Sequence, residues 1–141
     1  MVPPALVPMW SNTIRQLLVG TGLELRIISG GYTPTASDLN VDDDHIARGN
    51  VIYLISYNTY RARHDKDLKD CEFGMAIFDE SHWLNNDKSK GYAAVMKLDA
   101  PYRIQLTVTP MHHTVADMVV QSQWLFAQDE GDGLAKHGPR G

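Results

Sequence analysis

Two adjacent carboxylates, Asp79 and Glu80, directly follow an apolar segment, residues 74–78, which is typical of a buried β-strand. Such a strand holds the side chains at its exposed end in fixed positions. The first carboxylate can then hold a hydrated Mg²⁺ ion, and the second can orient and polarise an attacking water molecule. Because phosphoryl transfer depends mainly on positioning, the pair indicates that chemistry. An acidic pair after a strand is also common in solvated loops, so the context has to decide.

A second polar cluster follows another apolar segment further along the chain. Residues 102–108 are predicted to form a strand, with Thr107 and Thr109 at its end and Pro110 after them. Neighbouring parallel strands end at the same edge of a sheet. Both hydroxyls are therefore expected to hydrogen-bond the acidic loop, residues 79–82, and to sense a bound phosphate. The alternative is structural, since β-branched threonine favours strands and proline ends them.

Predicted helices and strands alternate along the rest of the chain. The predicted helices are residues 6–18, 57–64, 88–98 and 115–126, and the predicted strands are residues 23–29, 51–56, 73–78 and 102–108. The polar, acidic residues 33–50 are expected to connect two strands along the surface, with a short helix near residues 45–48. Residues 51–56 are apolar and β-branched, which suits a strand covered on both faces. The order of the elements predicts a parallel α/β sheet whose ligands gather beyond the carboxyl ends of the strands.

The bulk composition is that of an ordinary globular protein, with 141 residues of which 43% are hydrophobic and 21% charged. That length fits one domain or part of one. A net charge of −4 argues against a surface that is basic throughout, although not against a local basic patch. Cys71 is the sole cysteine, so no internal disulfide is expected, and no signal peptide or membrane-spanning segment is predicted. The abrupt apolar start at Met1 suggests a truncated domain.

Five segments, in this order, resemble the motifs of one known family. The segments are PPALVPMW at residues 3–10, VIYLISYNTY at 51–60, DESH at 79–82, WLNN at 83–86 and YRIQLTVTP at 102–110. They are similar to the proline-to-tryptophan motif, the strand ending in Ser/Thr-Tyr-x-Thr, the DEAH-type box, the stretch ending in Lys-Asn and the arginine-led strand ending in Leu-Thr-Gly-Thr-Pro. All belong to the Swi/Snf-type members of the superfamily-two helicases, which include the chromatin-remodelling ATPases. The resemblance covers residues 3–126.

The resemblance implies an incomplete three-layer, parallel-sheet RecA-like lobe of the P-loop NTPase class over residues 1–128, followed by a flexible tail over residues 129–141. ATP and Mg²⁺ are the implied cofactors. In the implied roles, Asp79 holds Mg²⁺ through water, Glu80 acts on the attacking water, and three residues couple the nucleotide state to DNA: His82, Thr107 and Thr109. Three more are implied to lie near the DNA backbone: Trp10, Tyr57 and Thr59. The resemblance implies that the chain is a fragment of a larger protein, which would translocate along double-stranded DNA in the nucleus. That protein would act in chromatin remodelling or DNA repair, with nucleosomes as a further partner.

The chain departs from the family pattern in several places. Val108 stands where the family has glycine between the two threonines, and Met111-His112-His113 replaces an apolar residue, glutamine and asparagine. No phosphate-binding loop of the Gly-x-x-x-x-Gly-Lys-Ser/Thr type occurs, and the second RecA-like lobe is missing. The isolated chain is therefore expected to bind ATP poorly and not to hydrolyse it. Without the phosphate-loop strand, the sheet is expected to have an unpaired edge and exposed apolar surface.

Two alternatives remain open from the sequence. A metal hydrolase could draw ligands from His82, His112, His113, Asp79 and Asp117, although their spacing matches no zinc signature. A degenerate, non-catalytic interaction module is the other alternative, and the Val108 and His112-His113 departures favour it slightly. The tryptophans at 10, 83 and 124 and the methionines at 9, 75 and 96 are predicted to belong to the core or its edge.

Overall fold

The computed structural model describes residues 1–29, 51–68, 71, 73–86, 88–109 and 114–126. Its helices are α1 (Val7–Leu17), α2 (Tyr57–Arg63), α3 (Lys90–Met96) and α4 (Val115–Phe126), and its strands are β1 (Glu24–Ile28), β2 (Val51–Ile55), β3 (Met75–Asp79) and β4 (Tyr102–Leu106). Short 3₁₀ turns occupy Pro4–Leu6 and Ser81–Leu84, and a π-helical turn occupies His64–Leu68. All the predicted helices and strands named above are confirmed, except that the short helix predicted near residues 45–48 and the tail lie outside the described residues.

The strands pair in parallel, β1 with β2 and β3 with β4. The backbone of Met1 and Val2 lies between these two pairs. The Val2 amide donates to the Ile55 carbonyl at 3.0 Å, and the Asp79 amide donates to the Met1 carbonyl at 2.9 Å. The Met1 nitrogen donates to the Ile77 carbonyl. Met1 therefore bonds Ile77 and Asp79, the residues on either side of Phe78, which is the pattern of parallel pairing. Since Val2 bonds β2, the Met1–Val2 segment links β2 to β3.

Serine side chains cap the first turns of α2 and α3 and fix where these helices begin. The Ser56 hydroxyl accepts a hydrogen bond from the Thr59 amide at 3.1 Å, which caps α2 directly after β2. Ser89 caps α3 in the same way, through the Tyr92 amide at 3.0 Å. Each cap satisfies one of the amides that the first turn of a helix leaves without a partner. The chain therefore turns abruptly from strand to helix at the edge of the sheet where β2 ends.

The core lies on one side of the sheet, under α2, α3 and α4. Phe78 of β3 and Trp124 of α4 are both fully buried, and their rings stack with centroids 4.0 Å apart. The Trp124 indole donates to the Val95 carbonyl of α3 at 3.2 Å, so its polar atom is satisfied inside the core. This packing fixes the end of β3 against α4, and the acidic loop begins at that end.

Strands β3 and β4 are covered on one face only. Ala76 and Phe78 are buried, but Met75 and Ile77, which point to the other face, are 52% and 45% exposed. The same face of β4 carries further exposed apolar side chains, Tyr102, Ile104 and Leu106. Continuous apolar residues signal burial on both faces only where a second layer is present, and here none of the described elements covers that face.

Three predictions about core residues need correction. Trp124 is a core residue as expected, but Met9, Met75 and Trp83 are 51%, 52% and 49% exposed. None of the helices in the described ranges is long and apolar enough to cross a membrane.

Candidate functional site

The candidate site lies where the parallel strands end. Asp79 is the last residue of β3, and helix α1 starts soon after the Met1–Val2 segment that pairs with β3. Helix α2 starts directly after β2 on the other side of that segment. Three chain segments therefore meet at one edge of the sheet, which is where ligands bind in parallel α/β folds.

Asp79 is held by hydrogen bonds from all three segments. The Trp10 indole nitrogen donates to Asp79 Oδ2 at 2.6 Å, and the Glu80 amide donates to Oδ1 at 3.0 Å. The Tyr57 hydroxyl donates to the Asp79 main-chain carbonyl at 2.9 Å. Hydrogen bonds to a carboxylate are the strong ones, because the acceptor is charged. Asp79 is thus fixed in one orientation before any ligand binds.

Glu80 has an unusual backbone conformation. Its φ of 51° and ψ of 50° lie in the left-handed region, and it has the one positive φ among the non-glycine residues that the structure describes. This conformation costs about 1–2 kcal/mol for a residue other than glycine. It turns the chain sharply from β3 into the Ser81–Leu84 turn, so the Glu80 carboxylate leaves the sheet at the strand end. Glu80 Oε2 lies 3.1 Å from His82 Nδ1.

Tyr57 forms the wall of the site beside Asp79. Its ring packs edge-on against Phe78 and stacks on Trp83, with centroids 6.0 Å apart and planes inclined by 6°. Burial raises the pKa of the Tyr57 phenol above its usual range, and the charges of Asp79 and Glu80 raise it further. Tyr57 therefore keeps its proton, and its hydrogen bond to the strand end, to higher pH than an exposed tyrosine would.

The expected contact between the hydroxyls after β4 and the acidic loop is not seen. Thr107 Oγ1 accepts a hydrogen bond from the Thr109 amide at 3.2 Å, and neither threonine bonds Asp79, Glu80 or Ser81. The reason is that β4 ends at Leu106, so Thr107 turns into a bend and satisfies its own backbone instead. Pro110, His112 and His113 lie outside the described residues.

The contacts between the acidic loop and α4 run instead through Gln121, which sequence reasoning missed. The Ser81 hydroxyl donates to Gln121 Oε1 at 2.9 Å, and Gln121 Nε2 donates to Asn85 Oδ1 at 2.6 Å. A signal was present, because Gln121 lies three residues before Trp124 and so shares the buried face of the helix. A polar residue at such a position has to find partners in the core.

The comparison with known families decides the identity of this domain. The family model described as the SNF2-related domain matches residues 1–126. The chain belongs to the SNF2-related domain family. The resemblance and the parallel α/β fold predicted from the motifs are thereby confirmed.

The SNF2-related domain has relatives among DNA repair proteins. It is 28% identical over 117 residues to the DNA repair and recombination protein RAD54-like of Gallus gallus, a match that covers 82% of this chain and 16% of the relative. It is 29% identical over 124 residues to the DNA repair and recombination protein RAD54 of Saccharomyces cerevisiae, covering 82% of this chain and 14% of the relative. The chain therefore spans only a small part of the length of such relatives.

A solved structure supports the fold of the SNF2-related domain. The Sulfolobus solfataricus SWI2/SNF2 ATPase core, solved in complex with double-stranded DNA, superposes with a TM-score of 0.64 and 22% sequence identity. The superposition covers 88% of this chain and 24% of that one. At this identity the likeness establishes the fold.

The SNF2-related domain offers carboxylates suited to Mg²⁺. The two Asp79 oxygens each accept one protein hydrogen bond and keep lone pairs for metal-bound water. Mg²⁺ retains several waters and is usually held by one or two carboxylates together with substrate phosphates, so Asp79 fits it as a carboxylate that acts through metal-bound water. In the described ranges, no three His, Cys, Asp or Glu side chains come together as a metal-binding group.

Val108, which replaces the family's glycine, does not crowd the site. Its side chain is 89% exposed and lies after the end of β4. The added side chain therefore meets no close packing in the described part of the chain. Thr59, expected near DNA, is half-buried, and its hydroxyl lies 2.9 Å from that of Ser56.

Proposed function

We propose that this SNF2-related domain is part of an ATP-dependent DNA translocase of the Swi/Snf type. The observation that carries the proposal is the Asp79–Glu80 pair, held at the carboxyl end of a parallel sheet by donors from α1, α2 and the loop itself. A rigid acidic pair at this position is what phosphoryl transfer needs, because the reaction depends on positioning and on electrostatic stabilisation.

In this function, ATP and Mg²⁺ are the cofactors. Asp79 holds the hydrated ion, and bound Mg²⁺ supplies positive charge that neutralises the phosphate oxygens. Glu80 orients the attacking water, and its left-handed backbone directs the carboxylate away from the strand. A phosphate-binding loop and a second RecA-like lobe have to come from other parts of the protein, since the SNF2-related domain covers a small share of its relatives.

Double-stranded DNA is the proposed partner of the whole protein, and nucleosomes are a further one. The similar Sulfolobus ATPase core was solved in complex with double-stranded DNA, which supports DNA as the partner. The names of the relatives from Gallus gallus and Saccharomyces cerevisiae refer to DNA repair and recombination, which supports action in the nucleus. Trp10, Tyr57 and Thr59 are proposed to lie near the DNA backbone. Trp10 and Tyr57 hydrogen-bond Asp79, so DNA at these residues would be one side chain away from the magnesium ligand.

His82, Thr107 and Thr109 are proposed to couple the nucleotide state to DNA. The contact of His82 Nδ1 with Glu80 Oε2, at 3.1 Å, supports this role for His82, because a shift of one side chain changes the surroundings of the other. Thr107 and Thr109 follow β4 at the same edge of the sheet as the acidic loop, where a nucleotide phosphate can reach them.

The proposal is tested by DNA-stimulated ATP hydrolysis in two forms of the protein. One form is the chain of 141 residues, and the other is the chain extended in frame to include the phosphate-binding loop and the second lobe. We expect hydrolysis only in the extended form. Absence of hydrolysis from both forms contradicts the proposal and favours a non-catalytic interaction module.

The Glu80→Gln variant of the extended form tests the role of the second carboxylate. Glutamine keeps the size of the side chain but cannot polarise water as a carboxylate does, so turnover is expected to fall by about a hundredfold or more while nucleotide binding persists. Glu24→Gln is the matched control, because Glu24 is exposed on β1 and pairs with its neighbour Arg26. Unchanged turnover in Glu80→Gln would remove Glu80 from the mechanism.

A further inference from the structure

Gln121 of helix α4 is a buried polar side chain whose amide is bonded at both ends. It is 4% exposed, and it shares a helix face with the fully buried Trp124. Its Oε1 accepts from the Ser81 hydroxyl at 2.9 Å, and its Nε2 donates to Asn85 Oδ1 at 2.6 Å. A buried amide is tolerated in a core only when both of its ends have partners. The position of α4 is therefore tied to the positions of both partners.

The two partners lie at opposite ends of the turn that follows Glu80. Ser81 is the first residue of the 3₁₀ turn and is fully buried. Asn85 is the C-cap of the turn, and its backbone amide donates to the His82 carbonyl at 3.1 Å. One side chain on α4 thus clamps the turn at both ends. The turn cannot slide along α4 or tilt from it without breaking a buried hydrogen bond.

Gln121 also connects the turn to strand β4. Gln105 Nε2 donates to the Gln121 main-chain carbonyl at 3.0 Å. Gln105 lies on β4 two residues before Thr107, so the strand end with the hydroxyls and the turn after Glu80 are joined through a single helix residue. This path replaces the direct threonine contact that the sequence suggested.

We propose that Gln121 is a positioning residue, which holds the turn after Glu80 against α4 and passes displacements of the β4 end to the Glu80 carboxylate. The inference rests on the proposed function in one respect, namely the role of Glu80 in orienting water. The tie itself is a property of the folded chain and exists without nucleotide or DNA.

Gln121→Met in the 141-residue chain tests the tie, with backbone amide hydrogen exchange followed by NMR. Methionine has nearly the shape of glutamine but no hydrogen-bonding amide, so the core stays filled while the tie is lost. The reporters are the Glu80 amide, bonded to Asp79 Oδ1, and the Trp83 amide, bonded to the Glu80 carbonyl. We expect both amides to exchange at least about tenfold faster, since the variant loses both hydrogen bonds of the Gln121 amide, each with a modest net contribution, and together these shift the opening equilibrium by that factor.

The control variant is Gln123→Met, the same change two residues further along the helix. Gln123 is exposed and accepts a hydrogen bond from Tyr92, away from the acidic loop. It should leave both reporter amides unchanged. Amides in the β1–β2 pair lie away from the turn and serve as the reference, so they should keep their rates in Gln121→Met if the loosening is confined to the turn.

Ser81→Ala keeps the inference testable if Gln121→Met unfolds the chain. It removes only the hydroxyl at one end of the tie, so the reporter amides should again exchange faster while the β1–β2 amides do not. In the double variant Ser81→Ala/Gln121→Met, the acceleration should be smaller than the product of the two single effects, because both changes break the same bond. The inference is overturned if Ser81→Ala accelerates exchange uniformly over the chain or not at all. It is also overturned if the two single effects multiply fully in the double variant.

These outcomes are separate from those of the ATPase test. Faster exchange at the reporter amides together with an inactive extended form would retain the tie and reject the proposed function. Unchanged exchange together with an active extended form would reject the tie and retain the function.

Discussion

Trp10 donates a hydrogen bond directly to Asp79, the carboxylate that is proposed to hold Mg²⁺. Trp10 is the fourth residue of α1, only about 5 Å along the helix axis from the first. The spacing between Pro3 and Trp10 therefore brings the indole nitrogen to the strand end, where it donates to Asp79 Oδ2 at 2.6 Å. Besides any contact with DNA, this tryptophan orients the carboxylate that is proposed to hold Mg²⁺.

Trp10→Phe is expected to destabilise the chain through Asp79. Phenylalanine keeps most of the ring packing but cannot donate, and a hydrogen bond to a charged group contributes about 1.5–3 kcal/mol. In a double-mutant cycle with Asp79→Asn, measured by urea denaturation, the two variants should therefore show a coupling free energy of at least about 1 kcal/mol. Trp83→Phe is the control for the change from tryptophan to phenylalanine, since the Trp83 ring stacks on Tyr57, whereas the indole that donates to Asp79 Oδ2 is that of Trp10. Additive effects of the Trp10 and Asp79 changes would show that the bond contributes nothing.

At the scale of secondary structure, Arg103 holds β4 to the helices around the core. Its guanidinium donates to the carbonyls of Leu98 at 2.8 Å, Ala100 at 3.2 Å and Trp124 at 2.7 Å. It also lies over the Trp124 ring, 4.9 Å from the centroid. The Trp124 carbonyl lies in the last turn of α4, and the carbonyls of Leu98 and Ala100 lie in the loop between α3 and β4. Burial lowers the pKa of Arg103 from its usual range, but an arginine remains charged there.

Arg103→Met is expected to lower the free energy of unfolding by about 2–4 kcal/mol, because it leaves three carbonyls without this donor and removes the cation–π contact. Arg103→Lys should recover less than half of the loss, since a single ammonium cannot reproduce the planar fork. Urea denaturation measures both. Arg26→Met is the control, because Arg26 pairs with the exposed Glu24. Full recovery by lysine would show that charge alone, rather than the fork, stabilises this contact.

The elements could be predicted from the sequence because their signals are local. Apolar patterns and turn residues located the strands β1–β4 and the helices α1–α4, but not the 3₁₀ and π-helical turns. The strand followed by Asp79 and Glu80 located the site. The network around the site could not be predicted, because it depends on which segments meet across the fold. The bonds from Trp10 and Tyr57 to Asp79 join residues far apart in sequence, and the contact expected from Thr107 was replaced by Gln121.

At the scale of the whole molecule, two buried tyrosines in α2 report on global stability. The Tyr57 hydroxyl donates to the Asp79 carbonyl, whereas the Tyr60 hydroxyl is buried with no hydrogen-bond partner in the described part of the chain. Burial raises the pKa of both phenols above the usual range; Asp79 and Glu80 add to the shift of Tyr57, and Cys71 adds to that of Tyr60. The unfolded chain therefore releases these protons at lower pH than the folded chain does.

The folded state should consequently lose stability as the pH rises above about 10, where the phenols of the unfolded chain ionise and those of the folded chain do not. Below that pH the contribution is fully present. Tyr57→Phe and Tyr60→Phe should each reduce the loss measured by urea denaturation between pH 9 and pH 11, taken as roughly one unit either side of the tyrosine pKa.

At neutral pH the two variants should differ. Tyr57→Phe should cost about 1 kcal/mol because a hydrogen bond is lost, and Tyr60→Phe should be neutral or stabilising because an unsatisfied hydroxyl is removed. Tyr102→Phe, at an exposed position, is the control. Equal losses at neutral pH would contradict the different surroundings of the two hydroxyls, and an unchanged alkaline slope in both variants would contradict their burial.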